Sequence, residues 1–297
     1  ASASGLPLIG SDEKNPMKTT TYGTGELILD ALNMGCRKFI IGLGGSATND
    51  GGAGMIAALG GRFIDKAGND IKLGAEGLEN LSKLDISNLD ERLKECSIVA
   101  ACDVDNPLCG ERGASHVYAP QKGADKNMVK KLDKLLVHYG NLIKRDIEVD
   151  VMNEKGSGAA GGMGAAILGF LNGKLLSGID IMIDKSNLEE RIKDADLVIT
   201  GEGMIDYQTA HGKTPYGVAK LAKKYDIPVI AICGSIGERA EELYQIYFDS
   251  IFSIIDRPMS LNEAIENSSK LLENASERII RAILINKKDG KGNDHEK

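Results

Sequence analysis

Apolar positions along the chain follow two periods, and the alternation between them sets the expected order of elements. Leu27, Ile28, Ala31 and Leu32 recur at helical spacing between Gly25 and Met34, with Thr24 as a cap and Gly35 as a stop. Residues 37–43 then read as a short strand, and 60–65 as another. The stretch 73–94 is polar and fits neither period, whereas SIVAAC at 97–102 reads as a buried strand. Asp125 opens an amphipathic helix with Met128, Leu132, Leu135, Leu136, Tyr139 and Ile143 on one face. A glycine cluster at 156–164 runs directly into a helical pattern over 165–171. After it the rhythm is a simple alternation. DLVIT at 196–200 is a strand, Thr214 and Pro215 cap and open a helix, IPVIAIC at 227–233 is a strand, and 248–255 contains another. Ser260 and Glu263 form a capping box that starts a long last helix through Ala282.

Strands alternating with helices predict an α/β fold with a mainly parallel sheet covered on both faces. A length of 297 residues predicts two α/β domains, with the change of rhythm placing the first over 1–190 and the second over 191–286. Residues 287–297 (KKDGKGNDHEK) contain nothing apolar and are expected to be a disordered tail.

Composition narrows the function. A net charge of −7 argues against nucleic acid as a partner, since duplex binding rests on clustered positive charge. A small anionic substrate is not excluded, because it responds to the local field of its site. There is no tryptophan and aromatics reach only 4%, so a base-stacking surface is not expected. No apolar run approaches the length of a membrane helix, and no secretion signal opens the chain. The five cysteines (Cys36, Cys96, Cys102, Cys109, Cys233) include no Cys-x-x-Cys pair, which predicts reduced thiols and a cytoplasmic setting. The glycosylation tripeptides at Asn80, Asn267 and Asn274 are then chance matches. Glycine is the outlier, at 36 residues against a usual share of ~7%.

Those glycines concentrate where chemistry is expected. IIGLGGSATNDGGAGM carries six glycines from Gly42 to Gly54, interleaved with Ser46, Thr48, Asn49 and Asp50. Bare amides such as those of Gly44 and Gly45, alternating with hydroxyl, amide and carboxylate groups at a strand end, have the composition of an anion cradle. Gly42-Leu-Gly44-x-x-Ala47 with Asp65 further on also fits a dinucleotide fingerprint, the signature of an NAD-binding oxidoreductase. Against it, glycines 51, 52 and 54 continue where that motif expects a helix.

A second loop, TGEGMIDYQTAHGKTP at 200–215, follows a strand at the edge where open α/β sheets bind ligands. Gly201 and Gly203 flank Glu202, and Asp206, Gln208, Thr209 and Lys213 follow. Gly212-Lys213-Thr214 falls short of a Walker loop, which needs glycine where Tyr207 stands. What remains is a carboxylate able to accept a proton or hold magnesium, and a lysine near a helix start able to face phosphate. A solvated loop is the plain alternative. Asp103 and Asp105 straddle the end of the 97–102 strand and suit Mg2+, or else form an Asx turn before Pro107. The 156–164 cluster either brings a helix start to an anion or packs tightly on another helix. The four histidines show no metal spacing. His138 reads as structural, and His211 adjoins the candidate lysine.

Taken together and in order, these segments resemble the bacterial glycerate kinase family of the glyoxylate and glucarate pathways (type 1). The matching stretches are TTTYGTGELI (19–28), the first glycine loop (40–55), CDVDNPL (102–108), PQKGAD (120–125), GSGAAGGMGAA (156–166), SGIDIMID (177–184), DLVITGEGMID (196–206) and GKTPYGVA (212–219). The resemblance implies a kinase that uses ATP and Mg2+ to phosphorylate D-glycerate, usually at the 2-hydroxyl. It also implies two α/β domains with the active site in the cleft between them, the second Rossmann-like. Asp206 and Lys213 are then the expected catalytic pair, Asp206 as base or magnesium ligand and Lys213 as partner of a phosphate or carboxylate. Two departures stand out. The family's usual opening strand, Asp-Ser-Phe-Lys-type loop and further glycine-rich acidic motif are not seen. This predicts an N-terminally truncated chain, a second domain lacking its leading strand, and a fragment that is inactive if the segment is needed. Tyr207 also stands where the family commonly has serine.

Overall fold

A computed structural model of the chain describes residues 1–210, 212–244 and 246–288. The chain divides into two compact units, Ala1–Gly178 and Ile179–Lys297, against a division near 190 read from the sequence.

The first unit contains α1 (Tyr22–Asn33), β1 (Lys38–Gly42), α2 (Ala53–Ala58), β2 (Arg62–Asp65), β3 (Leu81–Asp85), β4 (Ser97–Ala101), α3 (Ala114–Tyr118), α4 (Lys126–Asp146), α5 (Ala159–Phe170) and β5 (Lys174–Leu176). Strands β1, β4 and β5 form a parallel sheet in that order, with Ile41 opposite Ala100 and Ala100 opposite Leu175. Strands β2 and β3 form a separate antiparallel pair. Asp125 caps α4 through the Asn127 and Met128 amides, and the helix buries Leu132, Leu135, Leu136, Tyr139 and Ile143 as its period predicts. Tyr139 joins Phe63 and Phe170 in an aromatic group with ring centroids 6.0–6.4 Å apart.

Three expectations need correction here. The α1 cap is Thr21; Thr24 lies inside the helix, where its hydroxyl meets that of Ser4 at 2.8 Å. The undecided stretch 73–94 holds β3 between two 3-10 segments, Ala75–Asn80 and Glu91–Glu95. Nor is the sheet covered on both faces at β1, where Ile41 is buried but Ile40 is 54% exposed.

The second unit begins within α6 (Gly178–Lys185) and continues with α7 (Leu188–Ile192), β6 (Val198–Ile205), α8 (Thr214–Lys223), β7 (Val229–Ile236), β8 (Ser250–Ser253), α9 (Leu261–Glu266) and α10 (Ser268–Lys288). Strands β6, β7 and β8 are parallel and ordered as in the chain. Val198, Ile205, Val229, Ala231 and Ile251 pack with Ala219 and Ala222 of α8. The expected single last helix is two, broken at Asn267, whose side-chain amide donates back to the Glu263 carbonyl at 2.8 Å. Half of the capping box forms: the Ser260 hydroxyl accepts the Glu263 amide, while the Glu263 carboxylate pairs with Arg257. Helix α10 reaches Lys288, two residues into the expected tail, and 289–297 lie outside the described residues. No helix among the described residues is long and apolar enough to cross a membrane.

Candidate active site

In the first unit, β1 and β4 run parallel, so their carboxyl ends deliver the glycine loop and Cys102–Val104 to one edge of the sheet. A pocket of about 330 Å³ opens there, lined by Gly44, Gly45, Ser46, Cys102, Asp103 and Lys122 among others. Ligands of parallel sheets settle at that edge. Of the loop residues named from sequence, Gly44, Gly45 and Ser46 line the pocket; Thr48, Asn49 and Asp50 are buried and do not.

Asp50 holds the loop in shape. Its Oδ2 accepts from the Thr20 hydroxyl, the Thr21 amide and hydroxyl, and the Gly54 amide, and its Oδ1 accepts from the Gly52 amide. The Asn49 side-chain amide donates to the Ser115 hydroxyl at 3.0 Å. Thr48 Oγ1 and Asn49 Oδ1 are buried without a hydrogen-bond partner among the described residues.

The second glycine cluster packs backbone to backbone on this loop. Gly161 and Gly162 have φ of +69° and +93°, and Cβ atoms there would stand 2.0 Å from the Thr48 carbonyl oxygen and 2.8 Å from Gly51 Cα. The α5 turn is accordingly left-handed at Ala160, Gly161 and Gly162. These glycines do pack tightly, but on the backbone of the first glycine loop and not on another helix as expected, while the adjoining Ala159 and Ala160 line the pocket.

Lys122 is the residue that sequence reasoning missed. It lies in the PQKGAD segment, where it looks like an ordinary surface lysine, yet it is only 1% exposed. Its ammonium donates to Ser46 Oγ at 2.9 Å and to the Thr48 carbonyl at 2.7 Å. Burial lowers its pKa from 10.5 to about 8, with the Asp50 charge opposing. Between those values the folded chain has released a proton that the unfolded chain still holds, so unfolding free energy rises with pH. The wild-type value minus that of Lys122→Met should therefore grow by about 2 kcal/mol between pH ~7 and ~9.5. Urea melts of both chains across that range check it, and a flat difference would count against a buried charged lysine.

Asp103 and Asp105 turn to different partners. Asp103 Oδ1 accepts the Gly178 amide at 2.7 Å, and Asp105 pairs with the Arg112 guanidinium at 3.1 and 3.2 Å. Among the described residues no three His, Cys, Asp or Glu side chains gather as a metal group. The His138 Nε2–H donates to the Leu81 carbonyl at 2.7 Å, a structural contact.

The dinucleotide reading fails on topology. That motif puts its acidic residue at the end of a neighbouring parallel strand. Asp65 ends β2 in the separate antiparallel pair, where its carboxylate accepts the Ala67 and Asn69 amides of its own turn.

In the second unit, β6 runs on through Ile205, so residues 201–205 are strand where the sequence reading placed a loop; it carries Gly201, Glu202 and Gly203, and Asp206 follows it directly. Gly201 has no room for a side chain, since a Cβ would stand 2.2 Å from the Ile232 carbonyl oxygen of β7. The buried Thr209 hydroxyl donates to Glu202 Oε1 at 2.7 Å and accepts the Asp206 amide at 3.2 Å, locking turn to strand. Lys213, not the expected Thr214, occupies the N-cap position of α8, with no side-chain cap bond, and its Nζ stands 3.8 Å from both Glu202 Oε1 and Asp206 Oδ1. The expected pair Asp206 and Lys213 is thus brought together, with Glu202 as a third member. Tyr207 is half-buried, with the Arg239 guanidinium 4.9 Å from its ring centroid. The Gln208 side chain and His211 lie outside the described residues.

Comparison with known proteins bears on what these two clusters serve. The profile described as "Glycerate kinase family" matches residues 1–284. The chain belongs to the glycerate kinase family. It is 50% identical over 285 residues to "Glycerate 2-kinase" of Escherichia coli (strain K12), covering 96% of this chain and 75% of that protein. It is 48% identical over 279 residues to "Glycerate kinase" of Halalkalibacterium halodurans, covering 94% and 73%. A crystal structure from Salmonella typhimurium LT2, of a protein given as a glycerate kinase 2, superposes with a TM-score of 0.82 at 50% identity, covering 96% of this chain and 74% of that one. The chain thus spans about three quarters of the length of these glycerate kinase relatives, and the family match takes in the whole first unit and the second as far as residue 284.

Proposed function

We propose that this chain transfers the γ-phosphoryl group of ATP to D-glycerate, with 2-phosphoglycerate as product. The reading is carried by the cluster of Glu202, Asp206 and Lys213 at the carboxyl end of a parallel strand, in a chain of the glycerate kinase family. The relative named "Glycerate 2-kinase" supports the 2-hydroxyl as the acceptor.

Phosphoryl transfer asks a protein mainly for positioning and for positive charge at the oxygens that gain electron density. The 2-hydroxyl oxygen bonds to the γ-phosphorus as the bond to the β,γ-bridging oxygen breaks, releasing ADP. The hydroxyl proton passes to the Asp206 carboxylate, and the Lys213 ammonium offsets charge on the transferring group. Glu202 and Asp206 fit Mg2+ better than Asp103 and Asp105, since two hard oxygens already surround one cation, the Lys213 ammonium. Magnesium is commonly held by one or two carboxylates with substrate phosphates and water, and when bound it would add charge neutralisation on the phosphates. Five free cysteines support a cytoplasmic setting for the reaction.

A coupled ADP-release assay with D-glycerate tests the proposal, with phosphorus NMR to separate the 2- and 3-phospho products. ADP release dependent on D-glycerate is expected, and an NADH titration should show no binding. Absence of ADP release from this chain would sink the reading as stated. Release only from a longer polypeptide containing it would assign the activity to that longer protein.

A further inference from the structure

The first unit's pocket holds a buried positive charge that nothing in its walls neutralises. The titratable groups lining the pocket are Cys102, Asp103, Tyr118 and Lys122. Asp103 accepts the Gly178 amide, the Tyr118 hydroxyl donates to Asn106 Oδ1 at 2.6 Å, and the Cys102 thiol donates to the Val104 carbonyl. Among the described residues, the Lys122 ammonium reaches only neutral acceptors, Ser46 Oγ and the Thr48 carbonyl. The oxygens of Asp50, the one charge that opposes its desolvation, are taken up by Thr20, Thr21, Gly52 and Gly54. An ammonium removed from water without a facing carboxylate is costly, and a bound anion removes that cost.

The hydrogen bond from Lys122 also gives Ser46 a direction. Because Ser46 Oγ accepts from the ammonium, its own proton is left to donate, and no acceptor for it is found among the described residues. Ser46 lines the pocket, so a ligand oxygen there would receive a hydroxyl hydrogen bond backed by a positive charge.

We infer that this pocket binds the carboxylate of the three-carbon hydroxy acid, with Ser46 as its direct hydrogen-bond donor and Lys122 as the positioning residue behind it. This rests on the kinase reading above and assigns the acid, not the nucleotide, to the first unit. Size favours it: about 330 Å³ is at the small end of the roughly 300–1,000 Å³ of ligand pockets. The second unit's cavity of about 1290 Å³, lined by Gly201, Glu202 and Gly203 with Ile232, Leu261 and Leu272, has the room for a nucleotide. Charge agrees, since one ammonium balances one carboxylate, whereas a triphosphate would meet too little positive charge and the nearby Asp103. Leu6, Leu43, Val104 and Ala159 supply apolar wall for a short carbon chain.

Calorimetric titration of the full chain, Ser46→Ala and Lys122→Met with D-glycerate and, separately, with ATP tests the inference. Each variant should bind D-glycerate at least about tenfold more weakly and ATP within about twofold of wild type. A loss of folding alone would weaken both ligands together, so the split isolates the pocket. Should Lys122→Met fail to fold, Ser46→Ala decides by itself. Unchanged affinity for D-glycerate, or a loss falling on ATP instead, overturns the inference while D-glycerate-dependent ADP release by wild type still upholds the kinase reading. Wild type that neither binds D-glycerate nor releases ADP overturns both.

Discussion

Replacing Lys213 by alanine is expected to lower kcat by about a thousandfold or more, the scale seen when a cation facing the transferring phosphoryl group is removed. The geometry gives the reason. Nζ lies 3.8 Å from Glu202 Oε1 and from Asp206 Oδ1, too far for a direct hydrogen bond to either. Among the described residues the ammonium is therefore held by charge between two carboxylates, with no hydrogen bond to either that would compete with a phosphate oxygen. Its place at the start of α8 adds the positive end of a ten-residue helix. The side chain is 39% exposed, so its removal should leave the melting temperature within a few degrees of wild type. Asp206→Asn should be equally inactive with the fold intact, because the bond to Thr209 comes from the Asp206 backbone amide and survives the change. Steady-state kinetics on both variants, with melting curves alongside, make the test. Most of the activity surviving in both would remove these residues from the chemistry.

The elements that sequence patterning found are those whose burial follows a local period. Strands β1 and β4 and the leading parts of β6 and β7 are short apolar runs, and α4 keeps one buried face over 21 residues, whereas β6 continues through Gly201–Ile205, whose glycines made it read as loop. Strand β3 was hidden because its buried residues, Leu81 and Leu84, are three apart. The ladder register shifts between Ile64 and Asp65 of β2, and that irregularity breaks the two-residue period. The break at Asn267 has no proline or glycine to announce it. The sites divide in the same way. Asp206 and Lys213 are joined by one short loop, so local spacing pointed to both. Asp50 read as a ligand because its partners Thr20 and Thr21 lie 29 or 30 residues away, visible only once the chain is folded. Lys122 was missed for a stronger reason: lysine is almost never buried, and its two acceptors are more than 70 residues distant.

Gly161→Ala should be the most damaging single-methyl change in the first unit, destabilising it by about 3–5 kcal/mol. Two costs combine there. A φ of +69° is unfavourable for alanine by about 1–2 kcal/mol. The new methyl carbon would also stand 2.0 Å from the Thr48 carbonyl oxygen, a backbone atom that cannot swing aside as a side-chain tip can. Gly35→Ala separates the two costs, since Gly35 has φ of +89° with nothing within 4 Å of the added carbon. Only the conformational penalty should appear in that variant. The consequence of Gly161→Ala reaches the ligand as well. The Thr48 carbonyl that would be displaced accepts from Lys122, and the same ammonium holds Ser46. The folded fraction that remains should therefore bind D-glycerate poorly. Urea melts of the two variants and wild type measure the difference, and a Gly161→Ala chain no less stable than Gly35→Ala would show that the two glycine clusters are not locked together as described.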